Sequence, residues 1–388
     1  MTSDGLDLKI SAGALVLPGG LTLDDLFHAR SAVVGLDESF RVPIGAPVTK
    51  PLTALADAVG RPIPRGVLLA AEALAALPEK PKRRTGLVLG LPSLFSETEY
   101  VEHMLVHRHD VAAMERLHWF LGDHPLHLLQ KRFGLTGPAA RVDSACATGN
   151  DALIQAGIWL QQGLVDDVWV VAASAMLNPV AVALFDHLKA LTERRDLEAS
   201  CPFDARRRGF VMGEGAAALC LSRRPEARAL GYLRGWGQSM SDTGFVDLPD
   251  DLRVVEGACR AALGGRDRVA YVSAHGTATQ ANDLMETRLH HRLFGKAAPS
   301  IPLSSIKSMI GHCLGAAALI EAWVCLAALH RQTAPPTINL RHPDPACDLD
   351  VVPNQARPIA GALALSNAFA FGGHNVSVLL ERGEPWLD

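Results

Sequence analysis

The chain has 388 residues, of which 48% are apolar and 20% charged, and 37 basic against 41 acidic side chains leave a net charge of −4. Apolar content on this scale feeds a large core and excludes global disorder, and the near balance of charge argues against nucleic acid as a partner. Seven cysteines without a CxxC pair or regular spacing argue against a disulfide framework or a zinc module.

The first residues, MTSDGLDLKISAG, carry no basic stretch followed by an apolar one, so the sequence predicts no secretory leader. Apolar runs such as VWVVAASAML (168–177) are too short and too rich in small residues to span a bilayer, so no membrane is expected. With reduced cysteines, the expected setting is cytoplasmic. Runs bounded by Gly or Pro read as buried strands: TGLVLGL (85–91), ARVDSA (140–145), DVWVVAA (167–173), GAAALCLS (215–222), VAYVSAHG (269–276) and GALALSNAFAF (361–371). Ala/Leu-rich stretches with helical periodicity fall at 147–162, 251–264 and 313–330. The stretches 38–52, 78–84, 193–209 and 333–358 read as loops. Alternating strands and helices predict βαβ units and a mostly parallel sheet covered on both faces.

Two of the strands end on reactive residues, where α/β sheets commonly place their sites. VDSA runs into Cys146 and then into a small-residue helix, with Ala145, Ala147 and Gly149 leaving room for close approach. A helix start favours a thiolate through its partial positive charge and free N–H groups. VAYVSA runs into His275 in HGTAT, and His312 follows in KSMIGHCLGAA at a predicted helix start. A cysteine can hold an acyl group as a thioester, and two imidazoles can stabilise the enolate of a partner that is losing CO2. The glycine-rich turn NAFAFGGHN (367–375) can bring a backbone N–H towards Cys146, completing an oxyanion hole with the N–H of Cys146 itself. His103, His107, His109, His118, His124 and His127 cluster along the chain without metal-ligand spacing, so no metal is expected. The basic run Arg194, Arg195 and Arg206–Arg208 offers a landing site for an acidic partner.

Five segments in order, FGLTGPAARVDSACATG, CPFDARRRGFVMGEGA, SAHGTATQANDLMET, SSIKSMIGHCLGAA and NAFAFGGHN, resemble the elongating β-ketoacyl-acyl carrier protein synthases of the Cys-His-His type, across most of residues 85–380. The resemblance implies a thiolase fold: two similar βαβαβαββ halves, 1–228 carrying the cysteine and 229–388 carrying both histidines, in a five-layer αβαβα sandwich. It implies that Cys146 takes an acyl chain from a phosphopantetheine thioester, and that His275 and His312 promote decarboxylation of a malonyl thioester. Lys307 matches the family lysine that orders the site near His312, Asp283 and Glu286 match its supporting acids, and Phe371 matches the gating phenylalanine whose N–H joins the oxyanion hole. Phe185, Thr277, Thr279 and His374 fall where the family lines its substrate pocket. No bound cofactor is implied, because the substrates ride on the carrier protein's phosphopantetheine. The implied partners are that carrier protein and a second subunit, identical or related.

Several positions depart from the family pattern. Residues 8–20 (LKISAGALVLPGG) are a degraded form of the usual opening strand, and the stretch between Gly86 and Phe133 is compressed. Ala370 and His374 replace a glycine and a threonine of the gate, Cys201 and Arg208 stand where arginine and aspartate are usual, and VAASAM (171–176) lacks the usual glycines and acid. A specialised member, in polyketide or fatty acid biosynthesis, is expected. An acyltransferase without decarboxylation and a chain-length-factor-like partner subunit are the alternatives, the second disfavoured by the intact Cys146.

Overall fold

A computed structural model describes residues 7–56, 63–82, 84–92, 104–105, 110, 124–242, 244 and 251–386. The first half runs β1 (Lys9–Val16), α1 (Arg65–Ala75), β2 (Gly86–Gly90), α2 (His124–Phe133), β3 (Ala139–Val142), α3 (Thr148–Gln161), β4 (Asp167–Ser174), α4 (Pro179–His187) and β5 (Gly215–Ser222). The second runs β6 (Gly231–Met240), α5 (Arg253–Leu263), β7 (Tyr271–Ser273), α6 (Gln280–Phe294), β8 (Leu303–Ser304), α7 (Leu314–Arg331), β9 (Leu363–Ala370) and β10 (His374–Arg382).

Hydrogen bonding orders the strands β8-β7-β9-β10-β6-β1-β5-β4-β2-β3. Read outward from the centre, each half has the same order by its own strands: first, fifth, fourth, second, third. The fifth strand of each is antiparallel to both neighbours, and the outer three are parallel. The halves meet at a short antiparallel seam, Lys9 against Tyr232 and Ile10 against Gly231. The expected duplication and thiolase architecture are therefore present, but the sheet is mixed rather than mostly parallel, with five of its nine strand pairings antiparallel.

The layers follow from what each helix can bury. α7 is apolar around its whole circumference and is buried over nearly its full length, as a helix enclosed on all sides must be. By length and composition it is apolar enough to cross a bilayer, but it is covered by the protein and is a core helix. It packs on α3 and on strands of both halves, forming the central layer. Gly149 permits this closeness: a Cβ there would run into the backbone of Leu319 in α7. Helices α1 and α2 cover the outer face of the first half, with the Ala-rich β5 and the VWVVAA run of β4 buried beneath. Helices α5 and α6 do the same for the second half.

β1 forms from the degraded opening segment because Ala12, Ala14 and Val16 are buried on alternate positions of one face, while Ile10, across a register shift, is buried in the other core cluster. His103, His107, His109 and His118 lie outside the described residues, whereas His124 and His127 fall on α2.

Candidate active site

Three strained turns deliver the three reactive side chains to one point. Cys146 sits in a single 3-10 turn (Ala145–Ala147) at the start of α3, entered through Ala145 at φ +50°. His275 follows β7 and is trailed by Gly276 at φ +43° and Ala278 at φ +63°. His312 lies between a short helical turn (Lys307–Ile310) and α7, flanked by Gly311 at φ +63° and Leu314 at φ +43°. Left-handed backbone at alanine and leucine costs energy and survives where the surroundings over-determine it, as at functional sites.

The geometry is close. His312 Nε2 lies 3.2 Å from Cys146 Sγ, and the two imidazoles meet edge to face with centroids 5.4 Å apart. The N–H of Leu314 donates to His312 Nδ1 at 3.2 Å. In a neutral ring that leaves the proton on Nε2, so Nε2–H donates towards the sulfur. Burial holds both histidines well below the ordinary value, and the positive charge of Lys307 adds to the effect. Both are therefore neutral donors at physiological pH.

Burial also pushes the Cys146 thiol up, to about 12, and Lys307 pulls it back only part of the way. The start of α3 does not offset that desolvation, so the resting residue is a thiol and the expectation of a thiolate is corrected. Lys307 is itself buried and ion-paired with Glu321, a lone acid in the apolar α7. Burial raises the Glu321 carboxyl to about 7 against the pull of Lys307.

Asp283 and Glu286 serve the other side of the site. The Glu286 carboxylate accepts the backbone N–H groups of His275 at 2.8 Å and Gly276 at 2.5 Å, together with the Asn282 amide at 3.0 Å. Asp283 accepts the N–H of Phe203 at 2.8 Å and faces Arg207 at 3.6 Å. The two acids thus hold the His275 turn and the 201–207 loop, while Glu321 is the acid beside Lys307.

A cavity of about 250 Å³ joins these groups to the surface. Cys146, His275, His312, Thr277, Thr279 and Phe371 all line it. Phe185 does not reach the cavity; it is buried behind the wall, stacked on Phe371 and edge-on to Phe210. His374 also lies outside the lining, paired with Ala370 and Met240 where β10 begins. Ala370 is extended (φ −121°, ψ 158°), a conformation open to any residue, so the lost glycine strains nothing there. Gly372 (φ +76°) and Gly373 (φ +79°) make the turn instead.

Three of the five arginines of the basic run are committed within the chain. Arg194 pairs with Asp196, Arg206 with Asp204, and Arg207 with Asp344, each within 3.0 Å, so these charges are spent inside the chain. Arg195 and Arg208 remain exposed and donate to main-chain carbonyls. Phe210, edge-on to His312 with centroids 5.1 Å apart, and Glu321 went unread in the sequence. The signal for Glu321 was a single carboxylate within an otherwise apolar helix nine residues past His312; Phe210 carried none apart from its motif.

Two family models match in tandem: the β-ketoacyl synthase N-terminal domain over residues 77–227 and its C-terminal domain over residues 235–341. The chain belongs to the β-ketoacyl synthase family. It is 38% identical over 260 residues to the tetracenomycin polyketide synthase ketoacyl synthase alpha subunit of Streptomyces glaucescens, a match spanning 64% of this chain and 61% of that protein. It is 39% identical over 260 residues to 3-oxoacyl-[acyl-carrier-protein] synthase 2 of a Synechocystis strain, spanning 64% of this chain and 62% of that one. The matched segment thus covers less than two thirds of these relatives' length. Among solved structures, a chain of a type II polyketide acyl carrier protein–ketosynthase complex bound to a hexaketide superposes with a TM-score of 0.86 at 26% identity, over 97% of this chain and 99% of that one. A chain from the ketosynthase–chain length factor complex of Xenorhabdus doucetiae superposes with a TM-score of 0.82 at 25% identity, over 99% and 100%.

Proposed function

We propose that the chain is a condensing acyltransferase that extends an acyl group by decarboxylative Claisen condensation in polyketide or fatty acid biosynthesis. The observation that carries this reading is His312 with its Nε2 at 3.2 Å from Cys146 Sγ and His275 edge-on beside it, in one cavity. Cys146 Sγ attacks the carbonyl carbon of an acyl thioester, and the C–S bond to phosphopantetheine breaks. The departing thiolate takes the thiol proton, so no free Cys146 thiolate needs to accumulate. A malonyl thioester then loses CO2, and the electron pair of the broken C–C bond moves into an enolate whose oxygen His275 and His312 hold by hydrogen bonds. The enolate carbon attacks the Cys146 thioester. The N–H groups of Cys146 and Phe371 take the oxyanion, the C–S bond breaks, and Cys146 recovers a proton from solvent.

Each step runs on thioester substrates and the chain's own side chains, with no further cofactor. Burial, with the charge of Lys307 adding to it, keeps both histidines neutral, Asp283 and Glu286 hold the His275 turn, and Thr277 and Thr279 face the pantetheine arm. An acyl carrier protein is the partner that delivers such arms, and a second subunit, identical or a related chain length factor, fits the superposable complexes of a ketosynthase with its carrier protein and with its chain length factor. Seven unpaired cysteines fit a cytoplasmic setting. A partner-subunit role without catalysis would not require the buried, histidine-bonded Cys146.

Intact-protein mass spectrometry tests the reading, with acyl and then malonyl carrier protein supplied to wild type and Cys146→Ala. An acyl adduct absent from the variant, followed by a β-ketoacyl product, is expected. An adduct with no CO2 release would move the chain to simple acyl transfer, and no adduct at all to the partner role.

A further inference from the structure

His312 is held from behind by chain segments that the condensation steps do not use. Its backbone N–H donates to the Val211 carbonyl at 2.7 Å, and its own carbonyl accepts the N–H of Gly213 at 3.0 Å. Both main-chain polar groups of the histidine are therefore committed to residues 211–213. That stretch is backed in turn by residues 44–48: Ala46 N–H donates to the Met212 carbonyl at 3.0 Å, and Glu214 N–H to the Ala46 carbonyl at 2.9 Å. Three chain segments lie side by side, and the imidazole stands on the innermost.

Glu214 closes this stack. It is 2% exposed. Its two carboxylate oxygens accept Arg65 Nε and a terminal guanidinium nitrogen, both at 2.8 Å, and the Val48 N–H at 2.9 Å. Arg65 also donates to the Val48 carbonyl at 2.6 Å, and the Glu214 carbonyl accepts Cys313 Sγ at 3.2 Å, one residue past His312. The two-pronged pairing fixes geometry as well as charge. Glu214 is buried and Arg65 partly exposed, and apolar residues often replace a pair of this kind at similar stability, so its distinctive contribution is register. Here the register is that of residues 211–214 against residues 44–48, and it sets the height of His312 over Cys146.

We propose that Arg65 and Glu214 are positioning residues for His312, an ion pair through which the outer helix α1 sets the His312–Cys146 distance. The role in decarboxylation rests on the functional reading above; the placement of the ring does not.

The test uses the full chain with Glu214→Gln, Arg65→Gln, the double variant and Arg65→Lys. CO2 release from malonyl carrier protein gives kcat and KM, thermal melting reports folding, and imidazole resonances of 15N-histidine-labelled protein report the rings. Arg65 is partly exposed, so Arg65→Gln remains informative if the Glu214 variant folds poorly. The expected result is a fall in kcat of about 10- to 100-fold with KM unchanged, on the scale by which small misplacements slow an aligned reaction. The double variant is expected to fall no further than either single one, and Arg65→Lys, which keeps the charge without the fork, to recover part of the rate. His312 resonances should move while those of His275 stay. A lowered melting temperature with kcat and the His312 resonances unchanged would overturn the proposal. If the wild type releases no CO2, the functional reading fails, and the resonances alone decide the positioning role.

Discussion

Cys146 lies between opposing influences whose sizes set its reactivity. The start of α3 and the charge of Lys307 favour thiolate, whereas burial favours thiol and dominates, raising the group to about 12. Alkylation of Cys146 by iodoacetamide is accordingly expected to accelerate about tenfold per pH unit from neutrality to about pH 11, since only the thiolate reacts. A rate that levels off below pH 9 would show that Lys307 and the helix start outweigh burial. The histidines shift in the opposite direction. Their values lie well below 6.5, so they stay neutral as pH falls through that point and protonate only further down. The imidazole resonances of His275 and His312, followed from pH 8 to pH 5, should show no protonation centred near 6.5. A midpoint there in either ring would mean that it is an ordinary, solvated imidazole.

At the scale of elements, the contact between α3 and α7 brings the cysteine of one half to the histidine of the other. Gly149 sits where the helices touch, and a Cβ there meets the Leu319 backbone, which cannot rotate away. Gly149→Ala is expected to cost about 1–3 kcal/mol, the usual range for overpacking a filled core. Decarboxylation should fall more than stability accounts for, because separating the helices lengthens the Cys146–His312 contact. Urea unfolding alongside the rate of CO2 release checks both, and a variant as stable and as active as wild type would sink the argument. The same elements show why some of the fold was legible and some was not. Buried strands with unbroken apolar runs, β4 and β5, announced themselves, as did α7. β6 (GYLRGWGQSM) mixes buried glycines with exposed polar positions and offers no apolar run. α6 hides its inward face because Asn282, Asp283, Glu286 and His290 are among its buried residues. Burying polar groups to hold the His275 turn removed the periodicity that marks a helix. Cys146, His275 and His312 were readable because each stands among small residues at a turn. Glu321, the partner of Lys307, and the stack behind His312 depend on contacts between distant segments, which spacing along the chain does not encode.

Across the whole molecule, the halves are joined by more than the seam between β1 and β6. The loop at 198–208 belongs to the first half by connectivity, yet its charged residues are fastened to the second. Asp204 accepts the N–H groups of Arg341 and His342, both at 2.7 Å, and Arg207 pairs with Asp344 at 2.7 Å and faces Asp283 of α6. The Arg207 side chain is 4% exposed, so its charge is met by these carboxylates rather than by water. Removing one partner of a buried pair leaves the others uncompensated and typically costs about 3–5 kcal/mol. Arg207→Gln is therefore expected to lower unfolding stability by about that much and to loosen the His275 turn through Asp283, while Arg208→Gln, at the exposed neighbouring position, should leave stability within about 0.5 kcal/mol. The pair of variants separates two uses of one basic run. If arginines here received an acidic carrier protein, Arg207→Gln would weaken carrier binding in a salt-dependent way and leave the unfolding midpoint alone. With Arg207 turned inward, denaturant unfolding should register the substitution and carrier titration at two salt concentrations should not.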